Sequence, residues 1–303
     1  MDKELDSLNS CTADEEVKKE IEELMQNVGI YCRIFVRIKK ADSLKCKLDA
    51  KKDKYVNGRK LQDLIGVRIA LYFEDDREIC TNIIDNKHKI YWNNSQIDNL
   101  GEENFKAVRY NLICSMPERI VSMFDDKIWS SYPIDKTIEV QIRTVFSEGW
   151  HEVEHDIRYK NKEKWKTDEY KDFSRFLNSI FATLEMCDAS IIHLMDRMAY
   201  NSYNKRDVAN MLRYKFRIRF SKDMISEELL NVFRDNHELL KSFFRLERGE
   251  VLRVVSNQNF NRVPKTMDNL VYLCNELWIK DNDIKNITPQ FLTSIAEKIE
   301  NEK

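Results

Sequence analysis

Only six glycines and four prolines punctuate 303 residues, and this scarcity of turn formers constrains the fold more than any other feature. A sandwich or barrel of many short strands needs a turn roughly every 8–12 residues, usually built on Gly, Pro, Asn or Asp. A chain with so few is better suited to helices and to a sheet whose strands are joined by longer connections. Apolar residues make up 42% and charged residues 34%, which is too much core-forming material for a disordered chain. At this length a core holds together without disulfides or metal. The seven cysteines (Cys11, Cys32, Cys46, Cys80, Cys114, Cys187 and Cys274) show no C-x-x-C spacing and read as reduced thiols of a cytoplasmic protein. No run approaches the ~18 apolar residues of a membrane span. Met1–Asp6 lacks the basic-then-apolar order of a secretory signal, so no membrane partner is expected.

The net charge of −2 hides an asymmetry. Residues 1–24 carry nine acids and three bases, whereas residues 31–60 carry eleven Lys/Arg against three Asp. Such a basic block suits an anionic ligand, nucleotide phosphates or RNA, although a solvated lysine-rich helix face would also account for it.

Periodicity divides the chain further. Val17, Ile21, Leu24 and Met25 recur at helical spacing within 15–28. Over 31–38, Ile34 and Val36 alternate with Arg33, Phe35 and Arg37, the pattern of a strand. Residues 43–54 read as a basic helix capped near Asp42 or Ser43, and 65–73 as a buried strand with one charge. Further strands are expected at 106–114 and 137–142, and helices at 75–86 and 148–158. Together these predict an α+β (mixed α/β) domain, a sheet of about five strands flanked by helices. From Phe173, the residues Leu177, Ile180, Leu184, Cys187 and Ile191 continue a stripe down one long helix. It is expected to pack on the sheet domain, with oligomerisation as the weaker alternative. Arg213–Phe220 alternates strictly, predicting a strand with four cations on one face. Helices follow at about 225–245, 266–279 and 289–300. The expected division is a domain over 1–200 with its flanking helices and a mostly helical accessory domain over 205–303.

Several segments carry chemistry. On a strand, Glu139, Gln141 and Arg143 share one face; taken alone, a solvent-exposed polar face explains them. Asp63 precedes the apolar strand that contains Arg68, and an acid at a strand edge can hold Mg²⁺ with phosphate oxygens and water. Arg37 and Lys39 lead toward Ser43, a cluster suited to phosphate. His151-Glu152-Val153-Glu154-His155 contains H-E-x-x-H, two histidines one turn apart with a candidate base between them. The pattern alone is weak, and no third zinc ligand is evident downstream.

In order, these pieces resemble the synthetase domain of the RelA/SpoT family of alarmone synthetases. The matching motifs are Arg37-x-Lys39-x-x-x-Ser43, Asp63-Leu64-Ile65-Gly66-Val67-Arg68, Glu139-Val140-Gln141-Ile142-Arg143-Thr144 and Trp150-x-x-x-Glu154-His155-x-x-x-Tyr159-Lys160. The likeness covers about residues 15–165 and extends into the helical stripe, but not into 205–303. It implies a nucleotidyltransferase-like fold and an ATP-dependent pyrophosphokinase that moves the β,γ-diphosphate of ATP to the 3′-hydroxyl of GDP or GTP, making (p)ppGpp. By the same resemblance, Asp63 and Glu139 hold Mg²⁺ and are catalytic. Arg37 and Arg68 sandwich adenine, and Lys39, Ser43 and Lys47 hold the phosphates. Gln141 and Arg143 line the acceptor side, and Glu154 and His155 shape the pocket floor, which replaces the zinc reading.

Where the family has Gly-Tyr-Arg-x-x-His, this chain has Asn104-Phe105-Lys106-Ala107-Val108-Arg109. Phe105 can still stack on a base and Arg109 can meet phosphate, so Phe105, Lys106 and Arg109 are expected at the acceptor. The altered segment admits a second acceptor, the tRNA 3′ CCA end used by toxic relatives, for which the cationic segments would bind RNA backbone. An antitoxin or a second copy of the chain would then be a possible partner. A catalytically silent nucleotide sensor is the third reading, and the retained Asp63 and Glu139 count against it.

Overall fold

The computed structural model describes residues 3–50, 55, 58–98, 109–158, 161–222, 224–234, 236–261 and 263–302. The chain divides into two units: Met1–Glu23 with Cys32–Asp188, and Leu24–Tyr31 with Ala189–Lys303.

The first unit is built on a five-stranded mixed sheet. Its strands are β1 (Cys32–Ile38), β2 (Ile65–Leu71), β3 (Gln96–Ile97), β4 (Tyr110–Ser115) and β5 (Thr137–Thr144), in the order β1-β2-β5-β4-β3. β2 and β5 are parallel and every other pair is antiparallel. Helix α1 (Ala13–Val28) precedes β1; α2 (Ala41–Ala50) and α3 (Arg77–Lys87) flank β2 in sequence; α4 (Val145–Ile157) follows β5 directly, and α5 (Lys171–Asn204) comes next. The mixed sheet with flanking helices is thus the architecture expected from the sequence.

Because side chains alternate across a strand, the sheet has two faces of opposite character. Ile34, Ile65, Val67, Ile69, Leu71, Leu112, Cys114, Ile138, Val140 and Ile142 share one face, and all are buried. Burying a side chain of this size contributes about 1.5–3 kcal/mol, so a one-residue register slip, which would turn this set to the polar side, is strongly disfavoured. The opposite face carries Arg33, Phe35, Arg37, Arg68, Asn111, Glu139, Gln141 and Arg143.

The second unit is helical. It contains α6 (Val208–Phe216), α7 (Glu227–Arg234), α8 (His237–Arg245), α9 (Arg248–Val255), α10 (Met267–Cys274) and α11 (Gln290–Asn301). Here one expectation is corrected. Arg213–Phe220 is not a cationic strand: its first four residues end α6, and Arg217, at φ +50°, caps that helix in the left-handed region. Val208, Met211, Leu212 and Phe216 are buried at helical spacing, and Asp207 accepts a hydrogen bond from the Asn210 N–H at the start. The apparent alternation began in mid-helix. The cations do not form a row either. Arg217 is buried and paired with Asp196 at 3.3 Å, Lys215 lies over the Phe244 ring and Arg219 over Tyr31. Gly29, at φ +82°, ends α1; an added Cβ there would come within 2.6 Å of Ile218 Cγ2, so the position requires glycine.

Candidate active site

Parallel pairing of β2 with β5, and antiparallel pairing of β1 with β2, bring the polar residues into rows. Arg37 stands opposite Gly66 and Gly66 opposite Glu139; one step along, Phe35 stands opposite Arg68 and Arg68 opposite Gln141. On β4, Asn111 faces Gln141 and Ile113 faces Glu139. A cleft of about 190 Å³ opens over these rows, with Phe35, Arg37, Lys39, Asp63, Gly66, Arg68, Glu139 and Gln141 in its lining. Gly66 leaves its floor open, since an added Cβ would meet no heavy atom within 4 Å.

Asp63 lies just ahead of β2. Its Oδ2 accepts from Lys47 Nζ on α2 at 2.6 Å and pairs with Lys39 Nζ, just past β1, at 3.0 Å. Burial alone would raise its pKa, but Lys39 and Lys47 outweigh that and hold the carboxyl below its usual range. Glu139 is held differently. Asn111 Nδ2 donates to its Oε1 at 3.2 Å and Gln141 Nε2 to its Oε2 at 2.9 Å. Both donors are neutral, and among the described residues no cation pairs with Glu139.

From Gln141 the network runs on. Its Oε1 accepts from Arg143 Nη2 at 3.0 Å; Arg143 Nη1 donates to Glu148 Oε2 at 3.0 Å; and Glu148 Oε1 accepts from Arg68 Nη1 at 2.9 Å. Arg68 also pairs with Glu152. Glu148 and Glu152, one turn apart on α4, therefore anchor the arginines of β2 and β5. Burial pushes the Arg143 pKa down, and Glu148 opposes it. For Arg68 the two carboxylates outweigh burial and raise it. The start of α4 is fixed by Thr144, whose hydroxyl accepts from the Ser147 N–H and donates to Asp188 Oδ2 at 2.7 Å.

Of the residues singled out from sequence, Arg37, Lys39, Asp63, Arg68, Glu139 and Gln141 line the cleft, and Lys47 and Arg143 are bonded to residues that do. Ser43 is exposed in the first turn of α2, since that helix starts at Ala41 rather than at a cap on Asp42 or Ser43. Arg109 is exposed and forked onto Asp98, at 2.9 Å for the closest pair. Glu154 pairs with Arg158 and His155 with Asp156; neither lines the cleft, and it is Glu148 and Glu152 of α4 that bond the arginines beside it. Phe105 and Lys106 lie outside the described residues, as do Tyr159 and Lys160. Phe35, Asn111, Glu148 and Glu152 belong to the site without having been singled out. The spacing of four between Glu148 and Glu152 was the available signal.

A hard divalent cation fits this donor set. Mg²⁺ takes one or two carboxylates and completes its shell with phosphate oxygens and water. Asp63 and Glu139 are the two carboxylates lining the cleft, and among the described residues the charge of Glu139 is met by amides. Catalytic zinc needs three protein ligands. The His151 and His155 rings are 6.3 Å apart, Glu152 is engaged by Arg68, and no group of three metal-ligating side chains gathers among the described residues. The H-E-x-x-H segment thus serves the arginine network. Among the described residues no helix is long and apolar enough to cross a membrane.

Residues 36–164 match the family model described as a region found in RelA / SpoT proteins. Among curated proteins none matches. Solved structures that resemble the chain include the small alarmone synthetase 1 from Bacillus subtilis, at 20% identity and TM-score 0.45, covering 60% of this chain and 90% of that one. The same synthetase bound to its product pppGpp gives a TM-score of 0.46 with the same identity and coverage. A GTP pyrophosphokinase family protein from Streptococcus pneumoniae gives 0.42 at 20% identity, covering 59% and 87%.

Proposed function

We propose that the first unit is a Mg²⁺-dependent pyrophosphokinase that transfers the β,γ-diphosphate of ATP to the 3′-hydroxyl of GDP or GTP. The observation that carries this reading is the convergence of Asp63 and Glu139 on one cleft with Arg37, Lys39 and Arg68, within a segment that matches the RelA/SpoT region. In the transfer, a bond forms between the 3′-oxygen and Pβ, the bond from Pβ to the α,β-bridging oxygen breaks, AMP leaves, and the hydroxyl proton is taken up by a base.

Asp63 and Glu139 would hold the metal, which supplies charge neutralisation on the phosphates when bound. Lys39 and Lys47 are in place to take the triphosphate, with Ser43 at the same helix start. Arg37 and Arg68 flank the adenine. Glu139, steadied from two sides by amides, orients the attacking hydroxyl and accepts its proton. Gln141 and Arg143 continue the row on the acceptor side, where Phe105, Lys106 and Arg109 are proposed to complete the site. This is catalysis by positioning and charge, as phosphoryl-type transfer requires.

The tRNA reading loses the cationic strand it leaned on, so free guanine nucleotide is the simpler acceptor. The test is incubation with γ-labelled ATP, Mg²⁺ and either GDP/GTP or deacylated tRNA. Label is expected on the guanine nucleotide, and Asp63→Ala and Glu139→Ala should each abolish transfer while leaving the fold intact. Label on tRNA alone would reassign the acceptor. Full activity in either variant would overturn the site, and ATP binding without transfer would favour the sensor.

A further inference from the structure

Phe35 is the exposed apolar side chain of the polar sheet face; Ala70 and Ile113 share that face but are buried. Its neighbours along the strand on that face are Arg33 and Arg37, and its cross-strand partner is Arg68. Yet it is a large apolar ring, 54% exposed, in the lining of the cleft. Among the described residues no aromatic ring or cation stacks on it. Arg68, the obvious candidate, is committed to Glu148 and Glu152. No motif quoted above includes Phe35, and its exposed ring adds little to the core, which lies chiefly on the opposite face.

We infer that Phe35 is the stacking platform for the purine base of the donor nucleotide. This rests on the donor-site reading above and deepens it. The position is chemically apt: a flat apolar face bordered by the cations Arg37 and Arg68 offers a base both stacking and cation–π contact. The spacing is apt as well. Lys39 follows Phe35 by four residues, about 13 Å along an extended chain, and its ammonium meets Asp63 together with Lys47. One nucleoside triphosphate laid along the end of β1 thus reaches from the ring to the lysines, with its base on Phe35 and its phosphates at Lys39 and Lys47. Gly66, beside Arg37, leaves the space between them clear.

The experiment is isothermal titration of the full chain, in Mg²⁺, with ATP and separately with inorganic tripolyphosphate, for wild type, Phe35→Ala and Phe35→Tyr. Stacking on an aromatic side chain contributes about 1–3 kcal/mol per base. Phe35→Ala should therefore weaken ATP about fivefold or more, leave tripolyphosphate within about twofold, and be rescued by Phe35→Tyr. ATP bound equally by Phe35→Ala and wild type would overturn the inference while leaving the donor site standing. Parallel loss of ATP and tripolyphosphate in Phe35→Ala would show a general structural role and also overturn it. Wild type that binds neither ligand would bring down the donor-site reading itself, and this inference with it. Phe35 is exposed at the edge of the sheet, and circular dichroism of each variant checks that folding is retained.

Discussion

Glu148 is the keystone of the arginine network, and its removal has a magnitude that can be worked from the geometry. One carboxylate oxygen accepts from Arg68 at 2.9 Å and the other from Arg143 at 3.0 Å. The two arginines differ in what remains. Arg68 keeps Glu152. Arg143, only 9% exposed, keeps the neutral Oε1 of Gln141 and has no other ion pair among the described residues. Glu148→Ala therefore leaves a buried guanidinium without an ion-pair partner, a change that costs about 3–5 kcal/mol. Glu148→Gln retains an acceptor and should cost about 1–3 kcal/mol. For a unit of this size, 1 kcal/mol corresponds to about 2–4 °C in melting temperature, so Glu148→Ala is expected to lower it by roughly 6–20 °C. Scanning calorimetry or chemical denaturation of the three proteins measures this. The decisive comparison is the double variant Glu148→Ala/Arg143→Met, which removes the orphaned charge and should recover most of the loss. A double variant no more stable than Glu148→Ala, or a single variant costing less than about 1 kcal/mol, would refute the account of Arg143 as a buried charge held by one carboxylate.

Two further outcomes follow from the same geometry. Gly66→Val should lower donor binding and transfer by at least tenfold, because its methyl groups enter the open floor of the cleft, while the melting temperature stays equal or rises, since valine suits a strand better than glycine; unchanged activity would move the nucleotide elsewhere. Asp188 is buried, with Oδ1 unpartnered among the described residues and its carboxyl pushed up to about 6, chiefly by burial. A raised carboxyl pKa favours the protonated fold, so this contribution is complete below about pH 4 and is lost as pH rises through about 6. Asp188→Asn, which can still accept from Thr144, should therefore stabilise the protein at pH 8 by up to about 3 kcal/mol and change little at pH 4; equal effects at both pH values in denaturant titrations would contradict this.

Much of the sheet was legible in the sequence because its signals are local. The run Ile65–Leu71 and the alternation around Ile34 and Val36 identify strands from neighbouring residues alone. Asp63, Glu139 and the basic residues before them were legible as motifs. What escaped depends on packing between distant segments. Nothing near Glu148 announces that it meets arginines on both β2 and β5, and a phenylalanine between two arginines reads as an ordinary strand residue until the core is seen on the other face. The misread at Arg213–Phe220 has the opposite origin. There the local alternation was real, but Met211, Leu212 and Phe216 had already committed the segment to a helix.

The parallel junction of β2 and β5 also has a consequence for how this protein comes into being. The cations proposed for the triphosphate, together with Asp63, are all encoded between residues 35 and 68, whereas Glu139 emerges from the ribosome more than seventy residues after Asp63. Antiparallel β1 and β2 pair over a short span, but a parallel partner must await its crossover. On the proposed reading, a growing or partly unravelled chain gains its grip on phosphate first and its capacity for turnover last. Activity then reports on the completed sheet, and unfinished molecules are kept silent without any separate safeguard.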